Sequence, residues 1–312
     1  ELIVRLAQNY FDVLAAQDAL TTAQANKKAI GEQLASAKRN FEVGTATITD
    51  TREAQARFDL ATAQEIAADN DLRTKSIALD QLVGRTNVQP KPLAAPVALP
   101  ATQPPSVDDW VSLVDQAPSV RRAQLGFDIA QIENDKAKAG HLPTVKLEGS
   151  LGGSRATGSF PDLQGNAGNT KNASIGVRLS MPLYAGGAID NRVKETVSLQ
   201  EQARNNLDAA RRGVAQSTRQ VFFGVQSGQA QVKALEAAES SSKLALEATQ
   251  LGYRVGVRVN LDVLNAQTQL FTTQRDLSRA RYDVVVNSLR LRQAAGTLQP
   301  TDVTAVNALL AK

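Results

Sequence analysis

The chain repeats itself. Phe41-Glu42-Val43-Gly44-Thr45-Ala46-Thr47-Ile48-Thr49-Asp50 returns 212 residues later as Tyr253-Arg254-Val255-Gly256-Val257-Arg258-Val259-Asn260-Leu261-Asp262. The same offset pairs Tyr10-Phe11 with Phe222-Phe223, Asp71 with Asp283, and Gly84 with Gly296. An ungapped register over about 84 positions means two copies of one long helical hairpin. Each copy turns at an aromatic-x-Val-Gly motif, at Gly44 and Gly256, followed by an Asp. Equivalent hairpins build objects such as tubes.

Composition agrees with packed helices. Hydrophobic residues make up 42% of the 312-residue chain but aromatics only 4%, so the apolar content is mostly Ala, Leu and Val. That suits helices at close range and argues against one thick globular core. The 35 basic and 31 acidic residues are interspersed on helix faces, giving a net charge of +4. This reads as solvated helix surface, with no nucleic-acid partner expected. The absence of cysteine excludes disulfides and thiolate chemistry and fits a periplasmic or outer-membrane protein. The single histidine, His141, makes a His-based metal site or triad improbable, and its place at a helix–strand junction reads as structural. No run of about 18 apolar residues suggests a membrane-crossing helix. The opening Glu1-Leu2-Ile3-Val4 reads as mid-helix without a cap, so an N-terminally truncated chain is expected.

Helical spacing runs through Leu6, Tyr10, Val13, Leu14 and Leu20 to about residue 40. A second helix is expected from Thr49 or Asp50, with Glu53 as capping-box partner, to Val83, closed by Gly84 in a left-handed conformation. Six prolines between 86 and 106 impose an extended linker. Short helices follow near Val107–Trp110, where Trp110 is expected to pack, and from about Ser119 to Gly140. The period then changes to two. In 141–151, Val145, Leu147 and Leu151 share one face; Lys146, Glu148 and Ser150 share the other. In 173–184, Ile175, Val177, Leu179 and Met181 oppose Ser174, Gly176, Arg178 and Ser180. Strands of about ten residues with one apolar face match transmembrane barrel strands around a wet lumen, though alternation alone also fits a soluble hairpin packed on a core. Tyr184 and Phe160 are candidate interface aromatics. A helix of some 60 residues, from Ile189 to Leu251, would span on the order of 90 Å. Its heptad file is Leu207, Val214, Val221, Gly228, Leu235 and Ser242, with Val225, Val232 and Leu246 beside it. The last helix runs from Leu261 to Ala295, before a short tail. The fold class is therefore mainly α with a small β part. The divisions expected are a first helical hairpin (1–85), a Pro-rich linker with short helices (86–140), a β-hairpin (141–185), a second helical hairpin (186–298) and a tail (299–312).

No catalytic set is visible. Asp108-Asp109 lies at a linker–helix junction, Asp69 and Asp71 point to different faces of a helix, and no Gly-rich phosphate loop occurs. An enzyme is not expected, nor a cofactor or metal.

Several segments carry a resemblance. Gly252 to Gln267, Ala280-Arg281-Tyr282 and Ala295-Gly296-Thr297-Leu298 resemble the TolC family of outer-membrane channel proteins, near its TolC branch. Phe41 to Asp50 resembles the matching turn in the family's first half. Gly140-His141-Leu142-Pro143-Thr144 and Met181-Pro182-Leu183-Tyr184-Ala185-Gly186-Gly187 resemble the borders of its β-hairpin. The resemblance implies a homotrimer sharing one β-barrel in Gram-negative outer-membrane lipid and one coiled-coil α-barrel in the periplasm. It implies a passive exit duct for multidrug efflux or type I secretion. Its partners would be a periplasmic adaptor (membrane fusion) protein and an inner-membrane transporter or secretion ATPase. The family's two β-hairpins per protomer become one here.

The resemblance also assigns residues. Asp262 matches a lumen-facing carboxylate at the pore constriction, although its position also suits capping of the last helix. Asn265 stands where the family pattern often has a second Asp, so weaker cation selectivity is expected, and Asn265→Asp is expected to strengthen it. Tyr253 and Arg258 match residues that latch the closed tip, with partners at Asp50 for Tyr253 and Thr49 for Arg258. Tyr253 could equally pack as Phe41 does. Arg281 is either an inter-subunit link or an ordinary helix-surface arginine. The other reading of the heptads is a soluble periplasmic coiled-coil adaptor or scaffold, which leaves the alternating strands unexplained.

Overall fold

The computed structural model describes residues 1–94, 97, 99–155 and 169–311. The chain forms two compact units, one of Glu1–Val120 with Arg211–Lys312 and one of Arg121–Ala210.

The first unit holds the repeat. α1 (Leu2–Glu42) and α2 (Ile48–Val83) form one hairpin; the distal part of α5 (Ala188–Arg254) and α6 (Asn260–Ala294) form the other. Small residues let α1 and α2 approach closely. Ile30, Leu34 and Ala37 meet Ala54 and Ala61, with Leu264 of α6 closing the cluster. A Cβ on Gly31 would come within 3.3 Å of the Phe58 ring. Further along, Phe11 and Leu14 pack on Tyr282, Val285 and Val286. Burying each of the larger side chains among them, such as Ile30, Leu34, Phe11 and Leu264, contributes about 1.5–3 kcal/mol of transfer free energy, so these clusters hold the helices together. On α5, the fully buried file is Thr218, Val225 and Val232, and the expected positions Val221, Gly228 and Leu235 lie half-buried beside it. Val232 joins Leu277, Ala280 and Val284 of α6. Gly228 sits so near Val284 that a Cβ there would be 3.0 Å from Val284 Cγ2.

The Pro-rich segment is extended, and its free carbonyls have takers. Proline cannot donate, but Pro92 O accepts from Ala311 N at 2.8 Å, Pro100 O from Gln229 Nε2 at 2.9 Å and Pro104 O from Trp110 Nε1 at 2.8 Å. Tyr10 clamps the same segment: its hydroxyl accepts from Lys91 N at 2.7 Å and donates to Lys91 O at 3.0 Å. Trp110, on α3 (Val107–Ser112), is buried with Phe222, Val225, Leu291 and Ala295. Where a short tail is expected, the structure has a helix, α7 (Pro300–Asn307). Gln299 and Asp302 form a capping box with Pro300 inside it, and Asp302 pairs with Arg292 at 3.0 Å.

The second unit holds most of α4 (Pro118–Lys138), the proximal part of α5 and two antiparallel strands, β1 (Thr144–Arg155) and β2 (Asn169–Ser180). The strands start later and end earlier than alternation suggests at their outer ends, because Pro143 and Pro182 cannot donate to a ladder. The register pairs Val145 with Leu179 and Leu147 with Val177 on one face, and Lys146 with Arg178 and Ser150 with Ser174 on the other. Glu148 and Arg178 pair at 3.0 Å on the polar face, and the Ser150 and Ser174 hydroxyls are 2.8 Å apart. Met181 and Tyr184 lie beyond β2, both exposed, and Phe160 lies outside the described residues. His141 ends a 3-10 turn before β1, 3.4 Å from Asp190. Asn134 donates to Gln200 at 2.7 Å, joining α4 to α5. No helix among the described residues is long and apolar enough to cross a membrane.

Candidate functional site

The two hairpin turns are built alike. Gly44 (φ 78°) and Gly256 (φ 80°) take the left-handed conformation that costs a residue with a Cβ about 1–2 kcal/mol. In each turn two successive amides converge on one carbonyl. Thr45 N and Ala46 N donate to Asn40 O; Val257 N and Arg258 N donate to Gly252 O. Asn40 and Gly252 are equivalent positions of the repeat, and the difference between them has a use. A Cβ on Gly252 would fall 2.7 Å from Arg258 Cγ, so glycine makes the space over which the Arg258 stem folds. The guanidinium then lies 3.6 Å from Asp262.

The helices that leave the turns start differently. α2 is capped by Thr47, two residues before the earliest expected position. Thr47 Oγ1 accepts from Asp50 N at 3.2 Å and Asp50 Oδ2 accepts from Thr47 N at 3.0 Å, a reciprocal closure that a cap at Thr49 or Asp50 with Glu53 would forgo. At α6 the N-cap is Val259, which has no side-chain acceptor. Asp262 is the third helical residue, where its charge meets the helix dipole but caps nothing.

Cross-hairpin polar contacts tie the turns together. Asn40 Nδ2 donates to the Tyr253 hydroxyl at 3.2 Å, Gln33 Nε2 to Asn260 Oδ1, and Arg57 Nη2 to Asn265 Oδ1 at 3.0 Å. Within one chain, therefore, Tyr253 meets Asn40 rather than Asp50, whose carboxylate serves the cap. Arg258 meets Asp262 rather than Thr49. Arg281 Nη2 bonds Glu236 of α5 at 2.8 Å, a pair within the chain, while its Nε is buried without an acceptor. Asn260 is buried with Nδ2 unpaired. Gln33, Asn40, Arg57 and Glu236 carry no sequence motif; each reads as a polar residue on a long helix until its neighbour is known.

A polar cavity of about 300 Å³ lies between α1, α2 and α6. Asp71 and Asp283, equivalent in the two copies, both line it, with Asp12, Lys75, Arg275 and Arg279. Burial raises the Asp283 carboxyl above the usual carboxylate range; Asp12 adds to this, and Arg279 and Arg290 oppose it. Burial also raises the Tyr282 phenol, reinforced by its hydrogen bond to Asp18. Tyr10 is raised by burial as well, partly offset by its bond to the Lys91 backbone.

Comparison with known proteins agrees with this architecture. The outer membrane efflux protein family matches residues 1–85 and 111–297. The chain is 36% identical over 312 residues to the outer membrane protein TolC of Vibrio cholerae, covering 98% of this chain and 70% of that protein. It is 34% identical to TolC of Escherichia coli, covering 100% and 64%. It is 33% identical to the alkaline protease secretion protein AprF of Pseudomonas aeruginosa, covering 99% and 64%. The chain thus spans about two thirds of these relatives' length. The crystal structure of the outer membrane protein VceC of Vibrio cholerae superposes with a TM-score of 0.76 at 18% identity, covering 95% of this chain and 69% of that one, and shares the fold. With the family matched along both helical hairpins and the β-hairpin between them, the chain belongs to the outer membrane efflux protein family.

Proposed function

We propose that this chain is a subunit of an outer-membrane exit duct serving a tripartite efflux pump or a type I secretion system. Three copies share one β-barrel in the outer membrane and one α-helical barrel in the periplasm. The duct is passive. Energy comes from an inner-membrane transporter or secretion ATPase, coupled through a periplasmic adaptor that meets the helical hairpins.

One observation carries the reading. Every residue of β1 and β2 is exposed, with Leu147, Leu151, Ile175 and Val177 on one face more than 70% exposed. A two-stranded hairpin with a bare apolar face is unstable in water, and in lipid its open edges need closure by further strands. A shared barrel supplies both needs: lipid covers the apolar face, and the Glu148–Arg178 face lines the wet lumen. A soluble coiled-coil adaptor leaves that face without a partner.

The hairpin turns form the periplasmic tip. Asp262 lies at the pore constriction, and Asn265 lies one helical turn further on. Tyr253 and Arg258 latch the tip closed, through Asn40 and Asp262 within a subunit and through Asp50 and Thr49 in the assembled tip. Arg281 braces α6 on α5 through Glu236. The reading is tested by single-channel conductance of the full-length protein in a planar bilayer. Small, ion-selective currents whose selectivity changes in Asp262→Asn, and which grow in Tyr253→Phe, support it. Absence of conductance from folded trimers, latch variants included, overturns it.

A further inference from the structure

The charge at the constriction does not follow from Asp262 alone. Its carboxylate has a guanidinium of its own chain 3.6 Å away, from Arg258 four residues earlier. At that separation the opposite charge blunts the field of the carboxylate. One helical turn along α6, Asn265 is neutral, exposed and already engaged: its Oδ1 accepts from Arg57 Nη2 at 3.0 Å. Arg57 reaches it from α2, on the other hairpin. Among the described residues, no carboxylate lies within ion-pairing distance of Arg57. The guanidinium is permanently charged, and its fork is pinned in place by a carboxamide that cannot neutralise it. Of the four side chains Asp262, Arg258, Asn265 and Arg57, two are cations and one is an anion.

We propose that Arg57 determines the ion selectivity of the constriction: it bonds the Asn265 carboxamide and holds a guanidinium at that level. Anionic solutes then pass where Asp262 alone would favour cations. The inference rests on the placement of Asp262 and Asn265 at the constriction given above. It also gives the expectation for Asn265→Asp a cause. A carboxylate at 265 would meet Arg57 at ion-pair distance and cancel the guanidinium, so the pore would lose its excess positive charge much as it does when Arg57 is removed. The same substitution with Arg57 removed would leave the new carboxylate free.

The test is the potassium-to-chloride permeability ratio, from zero-current potentials of full-length channels in a planar bilayer under a KCl gradient. Arg57→Gln is expected to raise the ratio by roughly threefold, the effect of one charge in a narrow low-dielectric pore. Asn265→Asp alone, by pairing with Arg57, should raise it by a similar factor. The double variant carries one further net negative charge and should raise it more than either single variant, and Arg57→Lys should keep the wild-type ratio. If Arg57→Gln leaves the ratio unchanged while Asp262→Asn lowers it, the constriction stands and the role of Arg57 falls. If neither substitution moves the ratio, the placement of the constriction itself fails. Should Arg57→Gln not assemble, Arg57→Met takes its place, with the same expected rise, and an unchanged ratio overturns the proposal.

Discussion

The Tyr282 hydroxyl donates to Asp18 Oδ2 at 2.7 Å, joining α6 to α1 across 264 positions of sequence. The same ring stacks on Phe11 with centroids 5.6 Å apart. Tyr282→Phe keeps the stack and removes only the donor. The expected cost is about 1.5–3 kcal/mol, the usual range for a hydrogen bond to a charged group, measured by thermal or chaotrope unfolding of the full-length protein. Alkaline titration sharpens the test. The folded state raises the phenol, so its contribution is full below the ordinary tyrosine range and is lost as pH climbs above it. Tyr282→Phe should remove that part of the alkaline loss; identical pH profiles would show that the bond does not stabilise the fold.

Asp283 works in the opposite sense at neutral pH. Burial raises its carboxyl, so holding it ionised costs stability once pH exceeds the ordinary carboxylate range. Asp283→Asn should therefore stabilise the protein at pH 7, and the gain should vanish on acidification through that range. More than half of the side chain is exposed and Arg279 lies 4.0 Å away, so the gain should stay below about 0.5 kcal/mol. A destabilised Asn variant would mean that the attraction of Arg279 and Arg290 outweighs desolvation.

Gly84 and Gly296 are equivalent in the repeat, and both are left-handed, at φ 69° and 75°. Their surroundings differ. Nothing lies within 4 Å of a Cβ on Gly84, whereas a Cβ on Gly296 would be 2.6 Å from Ala117 Cα. Gly84→Ala should cost about 1–2 kcal/mol from backbone strain alone. Gly296→Ala should cost well above that, about 4 kcal/mol or loss of folding, because backbone must move. Equal melting temperatures for the two variants would refute the difference.

The hairpin faces make unequal demands. Leu147→Lys places a charge on the apolar face and should cost about 2–4 kcal/mol if that position lies near the bilayer midplane. Ser150→Lys, on the polar face, should be tolerated. The fraction of folded channel recovered after insertion into lipid vesicles measures both. Equal recovery would show that the Leu147 face does not meet lipid.

What the sequence makes legible is local. Gly44, Gly84 and Gly256 mark chain reversals because few other residues take positive φ, and the alternation around Val145 and Val177 marks two strands because its period is two. The cap at Thr47 is harder to read, since Thr47, Thr49 and Asp50 are all competent and only the reciprocal bond with Asp50 separates them. The capping box at Gln299 and Asp302 is a local signal too, and it makes a helix of a segment that length alone suggests is a tail. The cross-hairpin contacts are of another kind. Gln33, Asn40 and Arg57 acquire partners only when α5 and α6 lie against α1 and α2, and no spacing within one helix encodes that. The same holds for the meeting of Asp71 with Asp283 around one cavity.

The two helix starts at the turns have a mechanical consequence. α2 begins with a closed loop of side-chain and backbone bonds between Thr47 and Asp50, complete within four residues. α6 begins at Val259 with no such closure, and its first turns borrow Gln33 and Arg57 from the other hairpin. One helix start is thus self-contained, and the other is completed by side chains of the neighbouring hairpin. The two turns are equivalent places of one repeat, and Thr at one against Val at the other decides which helix closes its own start and which relies on its neighbour.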